Sequence, residues 1–244
     1  MTSIVALIIG KDGSKGLPGK NVMPILGRPM CEYALMAAAD HPDIEKIYTY
    51  TDSAKINSIA DDYGAFWLVH PEAGKERLTE NALLHAWEDM NPKPDIVCLF
   101  FANSPCIDVG MVSNGLYVLT NTPELDSCVS ISSFPMFEPN RARHIDNVYL
   151  KQTSPMVGGD SIRGSGQGVY FVDFTVQIIR ARCFEHMWEG SLPFRWHGQQ
   201  IHGMVNPSPS FDVDAEWQIP VIEYNLKLLG FTHDITPYDG GVDI

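Results

Sequence analysis

Residues 4–21 of the chain read IVALIIGKDGSKGLPGKN, an apolar run followed by a glycine-rich segment. The run at 4–9 has the length and composition of a buried strand in a parallel sheet. A glycine-rich segment that leaves such a strand exposes backbone N–H groups at the carboxyl edge of the sheet, where they can hold phosphate oxygens. Lys15 and Lys20 add mobile cations, which a purely structural turn would not need. The stretch therefore predicts a polyphosphate-binding loop, with a βα loop that binds no ligand as the alternative.

The loop matches neither of two well-known nucleotide-binding patterns. In a Walker A loop a glycine stands five positions before the second glycine, but the residue five before Gly19 is Ser14. Lys20 is followed by Asn21, where that loop has Ser or Thr. The glycines also lack the GxGxxG spacing of a dinucleotide-binding turn. A nucleotide would therefore be bound through a different loop signature.

The rest of the chain alternates between strand-like and helix-like segments. This alternation is typical of a mostly parallel sheet with helices on both faces, a Rossmann-like α/β fold. A chain of 244 residues can form one large domain, so we expect residues 1–244 to be a single unit. The predicted strands cover 4–9, 44–50, 66–69, 95–101, 127–132 and 168–174. The predicted helices cover 29–40, 53–63, 79–90, 109–119 and 215–229, with Ser53 and Thr79 as N-caps.

Residues 133–165 interrupt this alternation. The segment has no clean period, and it begins with Phe134, Met136 and Phe137. An irregular stretch of this length predicts an excursion from the domain, either a β-arm or an oligomerisation flap. Because an exposed apolar arm is better buried against a partner, we expect it to mediate a homodimer.

Composition and charge exclude several classes of protein. The net charge is −13, and no basic arm or stripe offsets it, which argues against nucleic-acid binding. The five cysteines contain no CxxC pair, so they are expected to be reduced thiols. No segment has the length of a membrane span or the features of a signal peptide. The sequence thus predicts a cytoplasmic protein without membrane contact.

Two carboxylates lie close together in the sequence SFDVD at 210–214. Alternate side chains of an extended segment point to the same side, so Asp212 and Asp214 are expected to face one point. Without a nearby cation this is costly unless a divalent ion binds them, and Mg²⁺ takes one or two carboxylates together with waters and phosphate oxygens. The pair predicts a magnesium site. The alternative makes Asp214 the N-cap of the last helix and leaves Asp212 solvated.

Asn103 and Ser104 directly follow the most apolar predicted strand, at 95–101. In open α/β sheets the ligand crevice lies beyond the carboxyl ends of the strands. Both side chains are therefore candidates for binding a sugar or ribose hydroxyl. A turn that only starts the next helix is the alternative.

With these features together, the chain resembles the acylneuraminate (CMP-sialic acid) cytidylyltransferase family. The stretch GSKGLPGKN at 13–21 looks like the nucleotide-binding signature of that family. The Thr51-Asp52 step, Ser104-Pro105 and the late aspartate pair also match. The resemblance implies transfer of CMP from CTP to a 2-keto-3-deoxy sugar acid, with release of pyrophosphate. It also implies a magnesium ion and a homodimer with a protruding dimerisation arm.

The resemblance assigns roles to named residues. It implies nucleotide binding by Lys11, Gly13, Ser14, Lys15, Lys20 and Asn21, with Lys15 and Lys20 as catalytic residues. It implies substrate binding by Asn103, Ser104 and Gln167, and metal binding by Asp212 and Asp214. The chain departs from the family at Lys11, where the family has Arg, and at Phe101, where the Gln of a QPTSP stretch is absent. Two alternatives stay open: a nucleotidyltransferase of this fold with another nucleotide or sugar phosphate, and a nucleotide-binding member without turnover.

Overall fold

The computed structural model describes residues 2–13, 16–70, 72–137, 139–153 and 168–238. Its strands are β1 (Ile4–Gly10), β2 (Pro24–Ile25), β3 (Arg28–Pro29), β4 (Lys46–Thr51), β5 (Phe66–Trp67), β6 (Ile96–Phe101), β7 (Ser127–Ser132), β8 (Arg143–Asp146), β9 (Tyr149–Gln152), β10 (Phe171–Arg180) and β11 (Ile201–Val205). Its α-helices are α1 (Met30–Asp40), α2 (Ala54–Asp61), α3 (Thr79–Asp89), α4 (Val109–Asn121), α5 (Ala181–Glu185) and α6 (Ile219–Leu228). Short 3₁₀ turns include Lys20–Val22, Arg195–His197 and Glu216–Gln218.

The main sheet of the described chain has seven strands, in the order β11-β7-β10-β6-β1-β4-β5. All neighbouring pairs run parallel except those of β10, which is antiparallel to both β6 and β7. The predicted α/β fold with a mostly parallel sheet is therefore confirmed. The central strands β1 and β6 are buried along most of their length, as their apolar runs predicted.

Helices cover both faces of this sheet. Ala6 and Ile8 of β1 belong to a core formed with α1, α2 and α4, whereas Val5 and Leu7 belong to a second core formed with α3 and α5. Successive side chains of a strand point to opposite faces, which explains why neighbouring residues of β1 enter different cores. All loops that follow the parallel strands then meet at one edge of the sheet.

Several predicted boundaries differ from the structure. Ser53 takes the N-cap position of α2, but its hydroxyl accepts no hydrogen bond from the helix and donates to Asp12 Oδ1 at 3.2 Å. Leu78 is the N-cap of α3, so Thr79 is the first helical residue and the predicted cap is wrong. The predicted strand at 66–69 shortens to β5, which is exposed at the edge of the sheet.

The last third of the chain departs most from the prediction. The strand predicted at 168–174 is β10, which begins at Phe171 and continues to Arg180. β11 was not predicted at all. The last helix begins as a 3₁₀ turn with Ala215 as its N-cap, so the alternative that made Asp214 a helix cap is wrong.

The predicted excursion contains a β-hairpin, formed by β8 and β9. Four apolar side chains of this hairpin are exposed: Ile145, Val148, Tyr149 and Leu150. Residues 154–165 of the excursion lie outside the described residues. Among the helices of the described chain, none is both long enough and apolar enough to cross a membrane.

The buried His197 predicts a pH-dependent stability. Its Nε2 donates to Gln177 Oε1 at 2.9 Å, and the side chain is almost completely buried. Burial lowers the pKa of His197 from 6.5 to about 3. Between these two values the unfolded chain binds a proton that the folded chain does not, so the free energy of unfolding falls as the pH drops.

We expect the wild-type protein to lose about 1.5 kcal/mol more stability than His197→Gln between pH 6.5 and pH 5, because the variant lacks the group that titrates on unfolding. Urea unfolding at a series of pH values measures this difference. His186→Gln makes the same substitution at an exposed histidine and serves as the comparison. The same pH dependence in wild type and His197→Gln would contradict the expectation.

Candidate active site

A cavity of about 400 Å³ lies at the carboxyl edge of the sheet, between the glycine-rich loop and the segment before α3. This is where ligands bind in open α/β sheets. Its lining comes from the loop, from the ends of β1, β4 and β6, and from residues 74–79 and Ala82. The loop contributes Gly10, Lys11, Gly13, Lys20 and Asn21, and the strand ends contribute Ile9, Tyr50, Thr51, Phe101 and Asn103.

Hydrogen bonds hold the glycine-rich loop at both of its ends. The Asp12 N–H donates to Asp52 Oδ1 at 2.8 Å, which ties the start of the loop to the residue after β4. Near the end of the loop, Asn21 Nδ2 donates to the Lys11 carbonyl at 2.9 Å. Lys11 in turn reaches the Glu76 carbonyl with its Nζ at 3.4 Å. The loop is therefore fixed to both sides of the cavity.

The loop also contacts the segment that carries the two aspartates. A Cβ at Gly16 would lie 2.8 Å from the Asp214 carbonyl oxygen, so only glycine fits this approach. The Lys20 ammonium forms an ion pair with the Asp214 carboxylate. The sequence prediction had assumed no cation near the aspartates, and this is wrong because Lys20 lies against Asp214.

Asn103 joins Asp212 to the end of β6. Its Nδ2 lies 3.3 Å from Asp212 Oδ2 and 3.0 Å from the Val213 carbonyl, and the Val213 N–H donates back to the Asn103 carbonyl at 2.8 Å. Burial raises the pKa of Asp212, and the negative charge of Asp214 raises it further, against smaller opposing effects of Lys20 and Asn103. The two carboxylates therefore repel each other at close range.

This pair of hard oxygen donors fits a magnesium ion. Among the described residues, no three or more His, Cys, Asp or Glu side chains gather where they could hold a metal. Mg²⁺ does not need such a cage, because it binds through one or two carboxylates and keeps waters and phosphate oxygens. A cation between Asp212 and Asp214 would also relieve their repulsion.

The structure brings most of the described predicted residues together. Four residues of the loop and Asn103 line the cavity. Ser104 does not: it is fully buried, its hydroxyl has no hydrogen-bond partner, and its N–H closes a turn onto the Phe101 carbonyl at 3.0 Å. That turn directs the side chain into the protein, so the predicted contact of Ser104 with a sugar is corrected. Ser14, Lys15 and Gln167 lie outside the described residues.

A polar cluster on the cavity wall was not predicted. The Tyr50 hydroxyl donates to Glu76 Oε1, and His85 Nδ1 lies 3.2 Å from the same oxygen. Burial acts to raise the pKa of Glu76, but hydrogen bonds from Tyr50, the backbone and His85 lower it overall. His70 stacks on His85 with ring centroids 4.1 Å apart. The wall therefore presents a well-fixed carboxylate.

One sequence signal could have revealed this cluster. Tyr50 lies at the end of β4, and residues 70–79 follow β5, its parallel neighbour. Loops after adjacent parallel strands converge at the same edge of a sheet. The same argument places the Thr51-Asp52 step and the residues between β5 and α3 at this edge.

The family of this chain is shown by its similarity to known proteins. The family model described as Cytidylyltransferase matches residues 5–147, so the chain belongs to the cytidylyltransferase family. The chain is 31% identical over 229 residues to N-acylneuraminate cytidylyltransferase B of Danio rerio, a match that covers 93% of this chain and 52% of that protein. It is 30% identical over 150 residues to CMP-N,N'-diacetyllegionaminic acid synthase of Legionella pneumophila, a match that covers 59% of this chain and 63% of that protein.

A solved structure shares the fold. The structure of CMP:2-keto-3-deoxy-manno-octonic acid synthetase complexed with CTP matches with a TM-score of 0.67 and 14% identity, over 93% of this chain and 99% of that one. The chain spans about half the length of the zebrafish relative. At 14% identity, the similarity to the synthetase structure shows the fold alone.

The contact between Gly16 and Asp214 gives a test of the loop geometry. We expect Gly16→Ala to lower the free energy of unfolding by about 1–3 kcal/mol, because the new methyl group overpacks the contact with Asp214. Gly13→Ala is the matched control, since a Cβ there meets no atom within 4 Å. Urea unfolding compares the two variants. If Gly16→Ala were as stable as Gly13→Ala, the loop would not rest on Asp214.

Proposed function

We propose that this chain transfers CMP from CTP to the anomeric hydroxyl of a sialic-acid-like 2-keto-3-deoxy sugar acid and releases pyrophosphate. The observation that carries the proposal is the contact of the lysine-bearing loop with the Asp212–Asp214 segment beside one cavity. Such an arrangement suits a polyphosphate with a divalent cation. The names of the relatives, an N-acylneuraminate cytidylyltransferase and a CMP-legionaminic acid synthase, support a cytidine nucleotide and an acidic sugar.

The proposed reaction is a single in-line displacement. The anomeric hydroxyl attacks the α-phosphorus of CTP, the bond from that phosphorus to the bridging oxygen breaks, and pyrophosphate leaves with the electron pair. Catalysis then consists mainly of positioning and of neutralising charge. We assign phosphate binding to the backbone N–H groups of the loop, together with Ser14, Lys15 and Lys20. We assign binding of the sugar acid to Asn103 and Gln167.

Lys20 has a double role in this proposal. In the free protein its ammonium is paired with Asp214, and its side chain is only 12% exposed. Lys20 already lines the cavity with Lys11 and Asn21, so its ammonium can exchange Asp214 for a phosphate there. Asp212 and Asp214 would hold a magnesium ion, which when bound offsets negative charge on the transferred and leaving phosphates.

Pyrophosphate release tests the function directly. Each of CTP, UTP, ATP and GTP is combined with a panel of nonulosonic and octulosonic acids and with a neutral sugar phosphate. We expect release only with CTP and a sugar acid. Release with another nucleotide or with the neutral sugar phosphate would support the second candidate, a different nucleotidyltransferase. Calorimetric binding of CTP without any release would support a nucleotide-binding member without turnover.

Asparagine substitutions test the metal site. Asp212→Asn and Asp214→Asn keep the shape of each side chain but remove a charge, and a neutral amide binds this hard cation poorly. We expect both folded variants to lose activity by orders of magnitude and to need more magnesium. Glu216→Gln changes an exposed acid near this segment and serves as the control. Near-normal turnover with unchanged magnesium dependence in both variants would overturn the metal assignment.

We further propose that the hairpin of β8 and β9 mediates a homodimer. Its exposed apolar side chains are better buried against a second copy. Light scattering at micromolar concentration should give the mass of a dimer, and Leu150→Asp should give a monomer. Tyr117→Asp is the control, because Tyr117 on α4 and Leu150 are both 69% exposed. A monomeric wild type, or equal effects of the two substitutions, would contradict the proposal.

A further inference from the structure

Asp173 is a buried acid to which the proposed reaction assigns no role. It lies on β10, is 1% exposed, and forms no ion pair with any lysine, arginine or histidine of the described chain. Burial of a carboxylate is costly unless hydrogen bonds or an opposite charge compensate for the lost water. Hydrogen bonds alone must therefore provide the compensation.

Four residues supply these hydrogen bonds. Oδ1 accepts from the Ser130 hydroxyl and from Thr175, whose N–H lies at 3.1 Å and whose hydroxyl lies at 2.9 Å. Oδ2 accepts from the Ser132 hydroxyl at 2.6 Å and from Asn206 Nδ2 at 3.3 Å. Ser130 and Ser132 belong to β7, and Asn206 directly follows β11. One carboxylate thus connects three neighbouring strands of the sheet.

Two of these hydrogen bonds connect Asp173 to the segment that carries Asp212. The segment 206–214 leaves β11 and carries the aspartate pair at its end. Asn206, at its start, contacts Asp173 directly. Further along, the Ser210 N–H donates to the Ser132 hydroxyl at 3.1 Å while that hydroxyl donates to Asp173. The Asp173 carboxylate orients the hydroxyl, because a hydroxyl has a single proton to donate and turns its lone pairs toward other donors.

The backbone beside Asp173 is itself in an unusual conformation. The strand register shifts between Val172 and Gln177, and Phe174 has a φ of 61°, which is rare for a bulky residue. The Phe174 ring stacks on Phe101 of the cavity lining, with centroids 5.4 Å apart. Strain of this kind persists only where the surroundings hold it. The hydrogen bonds from Thr175 to Asp173 stabilise this conformation.

We infer that Asp173 is a positioning residue for the segment 206–214. Through Ser132 and Asn206 its carboxylate fixes this segment, so that Asp212 and Asp214 meet their ligand in a defined geometry. The inference rests on the proposed function of the aspartate pair. Groups that orient metal ligands in this indirect way change metal affinity or activity by about 10–100-fold when they are removed.

Three variants and one reference separate this role from a general loss of stability. Ser132→Ala removes the hydroxyl between Asp173 and the Ser210 N–H, and Asp173→Asn alters the carboxylate itself. Ser127→Ala is the matched control: Ser127 is also a fully buried serine of β7, but its hydroxyl donates to the His197 carbonyl at 2.6 Å, away from this route. Asp212→Asn is the reference for the metal site.

Hydrogen exchange followed by mass spectrometry gives a readout that does not depend on activity. In the metal-free protein, we expect peptides from 206–214 to exchange about tenfold faster in Ser132→Ala and Asp173→Asn, as for the loss of a buried hydrogen bond. Ser127→Ala should leave these peptides at the wild-type rate. Unchanged exchange in Ser132→Ala, or an equal increase in Ser127→Ala, overturns the inference. Because Ser132→Ala is the smaller change, it decides the matter if Asp173→Asn does not fold.

The magnesium dependence of pyrophosphate release is the second readout. We expect half-saturation at a magnesium concentration about tenfold higher or more in Ser132→Ala and Asp173→Asn, with little change in KM for CTP at saturating magnesium. If Asp212→Asn shifts this dependence and Ser132→Ala does not, the role of Asp173 is refuted. If Asp212→Asn shifts nothing, the metal assignment fails, and the exchange measurement alone decides whether Asp173 positions the segment.

Discussion

The packing of the glycine-rich loop against Asp214 is the contact on which the candidate site depends. Lys20 and Asp214 are 194 residues apart in the sequence. Their ion pair and the close approach of Gly16 to Asp214 join the first loop to the segment that follows β11. No local propensity produces this contact. It forms because both segments leave strands at the same edge, and because Gly16 has no Cβ to separate them. Asn103, which follows β6, holds the same segment through a hydrogen bond to Asp212.

This contact also sets the electrostatics of the site. A chain with a net charge of −13 repels polyphosphates unless its cations are concentrated locally. Lys20 is paired with Asp214, and Lys11 Nζ lies 3.4 Å from the Glu76 carbonyl. The net positive charge in the cavity is therefore smaller than the number of its lysines suggests. Under the proposed function, a divalent cation on the aspartates would release Lys20 from Asp214 to a phosphate, which would couple metal and nucleotide binding.

The parts of the molecule that follow from local chemistry could be predicted from the sequence. The apolar runs of β1 and β6 gave the centre of the sheet, because a strand buried on both faces tolerates few polar residues. The glycines and lysines of the first loop, placed after such a strand, gave one side of the cavity. The same argument located Asn103 at the sheet edge, but not the turn that buries Ser104. The direction of a single side chain in a turn depends on neighbours that the sequence does not show.

In the last third of the chain the predicted strand is too short and β11 was not predicted, for a different physical reason. Asp173, Thr175 and Gln177 alternate with Phe174, Val176 and Ile178, which is the period of a strand. That period predicts a solvated polar side, but the structure buries Asp173, Thr175 and Gln177. Partners from β7 and from the residues after β11 bond Asp173 and Thr175, and the 3₁₀ turn at 195–197 bonds Gln177 Oε1. Such partners exist only in the folded chain. Hydrophobic periodicity therefore indicates the strand but not the burial of its polar side. Polar residues that alternate with apolar ones along such a strand can belong to a buried hydrogen-bond network, because side chains and backbone groups of the neighbouring strands provide their partners.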